Sequence, residues 1–118
     1  MSEGQLQLAL DTDQQCSRVA LLERWRCLMH EILPKLAKVH RWPISQNHCF
    51  MRVCLDTSLG APWHTIVKRP ASRHMTDHQL RQAITVSEEI VKSPHLLFEL
   101  NHRSIEQRKL FRFNTASA

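Results

Sequence analysis

The segment His48-Cys49-Phe50-Met51-Arg52-Val53-Cys54-Leu55-Asp56 constrains this chain more than any other. Wound as a helix, it is apolar over most of its circumference, and His48, Arg52 and Asp56, spaced i, i+4, i+8, fall on one narrow polar stripe. A helix that is apolar nearly all round belongs inside a protein. Charged groups taken there need partners, because an unpaired buried ion is costly. The stripe is therefore either an internally paired network or the lining of a site.

The flanking signals fit that helix into an all-α chain. Ser45 or Asn47 suits its N-cap, Gly60 its C′ position, and Pro62 follows as a stop signal, which places the helix at about residues 47–59. From Ser17 onward, Val19, Leu22, Arg26, Met29 and Leu33, with Leu21, Trp25, Leu28 and Ile32, recur at helical spacing. Pro34 is expected to end or kink that helix near Leu33, and a second arm, Lys35–Trp42, turns Leu36 and Val39 inward before Trp42-Pro43 supplies an exit. Trp63–Val67 reads as a short helical turn and Lys68–His74 as a basic loop. Thr76 and Gln79 form a capping-box pair ahead of Leu80, Ala83, Ile84, Ile90 and Val91, predicting a helix from Thr76 to Lys92. Ser93-Pro94 then opens a last helix to about Phe111. The expected architecture is a compact bundle of four or five helices with the 47–59 helix buried at its centre. Residues 1–15 are expected as a poorly ordered leader in which Leu6, Leu8 and Leu10 offer at most a short helix. Residues 16–112 form the single helical domain and 113–118 the tail.

Composition excludes several function classes. Only Gly4 and Gly60 are glycines, so no phosphate-cradling GxGxxG or P-loop pattern exists. No apolar run is long enough to span a bilayer. The start of the chain lacks a signal-peptide pattern, and Cys16, Cys27, Cys49 and Cys54 read as reduced thiols; an intracellular, cytoplasmic protein is expected. A net charge of +5 permits an acidic partner. Its densest groups are Lys68-Arg69 with Arg73, and Arg103, Arg108, Lys109 and Arg112.

The spacing of these residues argues against three kinds of chemistry. Cys49 and His48, as neighbours on a helix, point about 100° apart, so they cannot form a nucleophile–base pair. Cys27-x2-His30 and His74-x3-His78 each have metal-ligand spacing but lack a matching half, so no metal site is expected. The last two helices carry basic residues that suit non-specific phosphate contact more than base readout, because the first turn of the second one, Pro94–Phe98, reads as core. The candidate site is the polar stripe itself. There Arg52 binds an acidic group, Asp56 orients it and forms an i, i+4 pair with Arg52, and His48 adds a titratable hydrogen bond. Trp63, Lys68 and Arg69 stand at the edge.

Trp42-Pro43, the run Asn47–Asp56, Trp63, the tetrapeptide Lys68–Ala71, Gln79-Leu80-Arg81-Gln82-Ala83 and Leu100-Asn101-x-x-Ser104 together resemble a group of short bacterial and fungal proteins. These sometimes carry the label of general-control-type N-acetyltransferase. The resemblance spans about residues 22–108. The label implies acetyl-CoA as cofactor and a mixed α/β fold with an [RQ]-x-x-G-x-[GA] loop, which this chain does not contain. The residues themselves lead to a non-enzymatic helical domain that binds a protein partner or an anionic small ligand. N-acetyltransfer and non-specific nucleic-acid binding stand as the alternatives.

Overall fold

The computed structural model describes residues 18–117, with side chains from 18 to 113; the expected leader, 1–15, lies outside the described residues. The first helix, α1, occupies residues 18–27 and runs without a break through a π-helical turn, Leu28–Ile32, into α2, Leu33–His40. Of the stop or kink expected at Pro34, the stop does not occur: the chain passes through this turn and stays helical. Proline has no N–H to give and its ring crowds the carbonyl four residues earlier; a π-turn just ahead of it loosens that spacing and lets the helix continue. Leu28, Met29 and Leu33 are wholly buried there, with Trp25 and Ala37 beside them. Val39, expected to point inward, is 73% exposed. The helix closes at Arg41, in the left-handed region at φ 52°, and Trp42 N–H returns to the Ala37 carbonyl at 3.1 Å.

Helix α3, Asn47–Leu59, is the predicted central helix. It buries Phe50, Val53, Cys54, Leu55 and Asp56 and packs against α5 and α6. Its N-cap residue is Gln46, which makes no side-chain cap hydrogen bond, in place of the expected Ser45 or Asn47. Gly60 fills its expected role, at φ 72° with its N–H on the Asp56 carbonyl at 2.9 Å. A 3-10 turn, Trp63–Thr65, and a four-residue helix α4, Ala71–His74, lead to α5, Asp77–Lys92. Both bonds of the capping box are present: Gln79 N–H donates to Thr76 Oγ1 at 3.0 Å, and Thr76 N–H to Gln79 Oε1 at 2.9 Å. A tight turn at Ser93–His95 opens α6, Leu96–Ser117. The helix thus starts two residues after the expected Pro94 and continues past Phe111 into what was expected to be tail. No strand occurs among the described residues. The molecule is an all-α bundle around one core drawn from α1, α2, α3, α5 and α6, and none of its described helices is long and apolar enough to cross a membrane.

Two features of the core are directly testable. Burial pushes the Cys54 thiol up to about 12 from its ordinary 9.0, outweighing the hydrogen bond from Ser87, which favours the thiolate. Between those values the unfolded chain releases a proton that the folded chain retains. Cys54 therefore withdraws stability as pH rises from about 9 toward 12. At pH 9, iodoacetamide followed by mass spectrometry should label Cys27 and Cys49, which are partly exposed, and spare Cys54 until denaturant is added. Replacing Thr76 with Ala should cost about 1 kcal/mol, read as a fall of several degrees in Tm with the α-helical circular dichroism unchanged.

Candidate functional site

Asp56 projects from the third turn of α3 and is fully buried. Both of its oxygens are saturated. Oδ2 accepts from Ser104 Oγ at 2.7 Å and Arg108 Nε at 2.8 Å. Oδ1 accepts from the Trp63 backbone N–H at 2.9 Å and Arg108 Nη2 at 3.2 Å. The Arg108 contact is a two-point fork, the strong geometry for a guanidinium on a carboxylate. The carboxylate thereby ties α3 to α6 and to the loop after Gly60 in one constellation.

Arg52 sits one turn earlier and does not touch Asp56. Its Nη1 donates to Ser104 Oγ at 2.7 Å and its Nη2 to Asn101 Oδ1 at 2.6 Å. The expected i, i+4 ion pair is thus a relay, in which the Ser104 hydroxyl accepts from Arg52 and donates to Asp56. Acid placed after base is the weaker order for a direct pair, and α6 offers better-placed partners to both. Burial, then the nearby Arg108 charge, lowers the Arg52 pKa below the usual guanidinium range. The network contains two guanidinium groups and one carboxylate, so one positive charge in it has no counter-charge.

His48, the third member of the predicted stripe, is exposed and takes no part in the network. The stripe therefore runs from sealed at Asp56 to solvated at His48. Asp56, having no access to solvent, cannot orient a ligand by contact; it holds Arg108 instead. Trp63 serves the site through its backbone N–H, and its half-buried ring carries the Arg69 guanidinium 5.3 Å from the ring centroid. Lys68 is exposed and joins neither group.

On the outer side of Arg108 lies a cleft of about 300 Å³, lined by His64, Arg108, Phe111 and Arg112. The His64 ring meets Phe111 edge to face at 6.0 Å and Trp63 at 6.2 Å. No carboxylate lines this cleft. Sequence reasoning passed over Asn101, Ser104 and Arg108 as site residues. The signal for them was present, because the three recur at i, i+3, i+7 and so share one face of α6, polar where a packed helix should be apolar. Among the described residues no group of three or more His, Cys, Asp or Glu side chains is placed to hold a metal ion. Cys49 is half-buried, and His48 beside it is exposed.

Changing Asp56 to Asn should destabilise the fold by about 3–5 kcal/mol, since it leaves both guanidinium groups uncompensated in a site built for a carboxylate. Arg52→Met removes the surplus charge and should cost clearly less. Urea denaturation of both variants measures the difference, and a larger loss for Arg52→Met contradicts the assignment of Asp56 as the hub. Comparison of the chain with protein-family models, with curated proteins and with solved structures gives no match.

Proposed function

We propose that the protein is a non-enzymatic helical domain that binds a small anionic ligand in the cleft against Arg108. The observation that carries this reading is Arg108 itself. Its Nε and Nη2 are fixed on the buried Asp56 while the residue stays 24% exposed toward the cleft. A guanidinium held rigidly on one edge is pre-organised to bind an anion on the other.

The charges around it support the same reading. Arg103 is neutralised locally by Glu99, at 2.5 Å, and Lys109 by Glu106, at 3.3 Å. Arg112 makes no ion pair among the described residues and lines the cleft with Arg108. A bound anion supplies the negative charge that Arg52 and Arg108 together lack. Phe111, His64 and the nearby Trp63 offer ring faces and edges to a planar ligand body. The pairing of Arg103 and Lys109 also breaks up the continuous basic surface that a nucleic-acid backbone needs.

Phenyl phosphate and inorganic phosphate are suitable probes, titrated calorimetrically into the intact chain. Phenyl phosphate should bind saturably and more tightly than inorganic phosphate. At one hundred times its Kd it should add about 2.7 kcal/mol of stability. Arg112→Ala should weaken it at least tenfold while leaving the melting curve of the free protein unchanged. Absence of saturable binding, or equal affinity in Arg112→Ala, refutes the reading. Acetyl-CoA that binds and is hydrolysed or consumed would replace it with the acyltransfer alternative, and an oligonucleotide that outcompetes phenyl phosphate would replace it with nucleic-acid binding.

A further inference from the structure

A second and larger recess, of about 600 Å³, shares no residue with the Arg108 cleft. Its long wall is a single stripe of the first helix and its π-turn, in which Arg18, Leu22, Trp25, Arg26, Met29 and His30 recur three and four residues apart. Met51 of α3 completes the floor, and Ser72 and Arg73 of α4 form the facing rim. Trp25 and Met29 are all but fully buried, while Leu22 and Met51 are half-buried. The bottom of the recess is therefore apolar, and its two methionine side chains are adaptable in shape.

The rim is cationic. Arg18 is already committed, bonded to Asp77 at 2.5 Å and to the Met75 and Ser72 carbonyls at 3.0 and 3.3 Å. It acts as a strut that fixes α1 against α4, the turn after it and the start of α5. The side chains of Arg26, His30 and Arg73 are exposed and make no hydrogen bond or ion pair among the described residues. Glu23 and Glu31 border an adjoining recess with Arg26 and His30 but pair with neither; Glu31 instead accepts from the Cys27 thiol at 3.2 Å. No carboxylate lines the larger recess.

We infer that this recess is a binding site for a monomeric amphiphile with one apolar arm and one anionic head, of the chemical class of a medium-chain carboxylate. The arm lies on Leu22, Trp25, Met29 and Met51, where it meets no polar group that needs water. The head bridges Arg26 and Arg73, which belong to different helices. The volume falls inside the range of about 300–1,000 Å³ usual for small-molecule sites. The apolar atoms sit at the bottom of a concavity. A membrane surface instead requires a helix that presents its apolar face outward, so the site fits a free molecule and not a bilayer.

Isothermal titration with decanoate, kept below its micelle concentration, tests this on the intact chain; decanol serves as the uncharged probe of equal length. Decanoate should bind saturably at one molecule per chain, and decanol at least tenfold more weakly. The double variant R26Q/R73Q should lose at least tenfold in decanoate affinity with its melting curve unchanged, and either single change should show part of that loss. Arg112→Ala should leave decanoate binding intact, which separates this site from the Arg108 cleft. In two-dimensional NMR the Trp25 indole signal should move during the titration. The inference is overturned by the absence of saturable binding, by equal affinity for decanol, by an unaffected R26Q/R73Q, or by association with anionic vesicles but not with the monomer.

Discussion

A fully buried carboxylate organises this molecule. Asp56 must accept enough hydrogen bonds to offset the loss of water, because its charge is intolerable in a core without them. It finds them in three places that the chain brings together only on folding: the backbone after Gly60, the hydroxyl of Ser104 and the guanidinium of Arg108. Each partner fixes a different piece of the fold. The Trp63 N–H sets the course of the chain leaving α3, and Ser104 and Arg108 set the rotation of α6 against α3. Apolar packing alone tolerates small slides of one helix over another; four directional bonds to one carboxylate do not. The network therefore specifies register more than it adds stability.

Much of the architecture was legible because it rests on local chemistry. The capping box at Thr76 and Gln79, the left-handed Gly60, and the 3.6-residue apolar period from Leu21 to Leu28 are decided within a few residues, so sequence spacing is enough to place them. The central helix was legible for a related reason, since a segment apolar on nearly every face has nowhere to go but inside. The continuous passage through Pro34 was not legible. Proline there permits a stop, a kink or a π-turn, and the choice falls to the packing of Leu28, Met29 and Leu33, which lies outside the local sequence.

The candidate site was half legible for the opposite reason. The stripe on α3 identified Arg52 and Asp56, but their side-chain partners on α6 are 48 to 52 residues away along the chain. A pairing rule confined to one helix gave a direct Arg52–Asp56 bond, and the tertiary partners displaced it. The matching stripe on α6, Asn101, Ser104 and Arg108, could have been read beside the first one. Two packed helices that each bury a polar stripe lower their joint cost by facing those stripes together, since each then satisfies the other's desolvated groups. His48 belongs to the α3 stripe by spacing but reaches beyond the packed interface, and so it is solvated.

The same network explains why the molecule has cationic recesses rather than a uniformly basic surface. Acidic side chains are spent where they close structural contacts: Asp77 on Arg18, Glu88 on Arg24, Glu99 on Arg103 and Asp56 on Arg108. Arg112 beside Arg108, and Arg26 and Arg73 on the larger recess, are among the basic side chains that make no ion pair among the described residues. In the first case the link to the fold is direct. On the proposed reading, an anion at the outer edge of Arg108 would act on a guanidinium whose inner edge holds Asp56, and Asp56 in turn holds the turn at Trp63 and the packing of α6. Binding energy placed there favours the folded arrangement over the unfolded chain, in which Arg108 and Arg112 have no fixed spacing. On the proposed reading, binding in the cleft and the ordering of the α3–α6 interface draw on one set of hydrogen bonds.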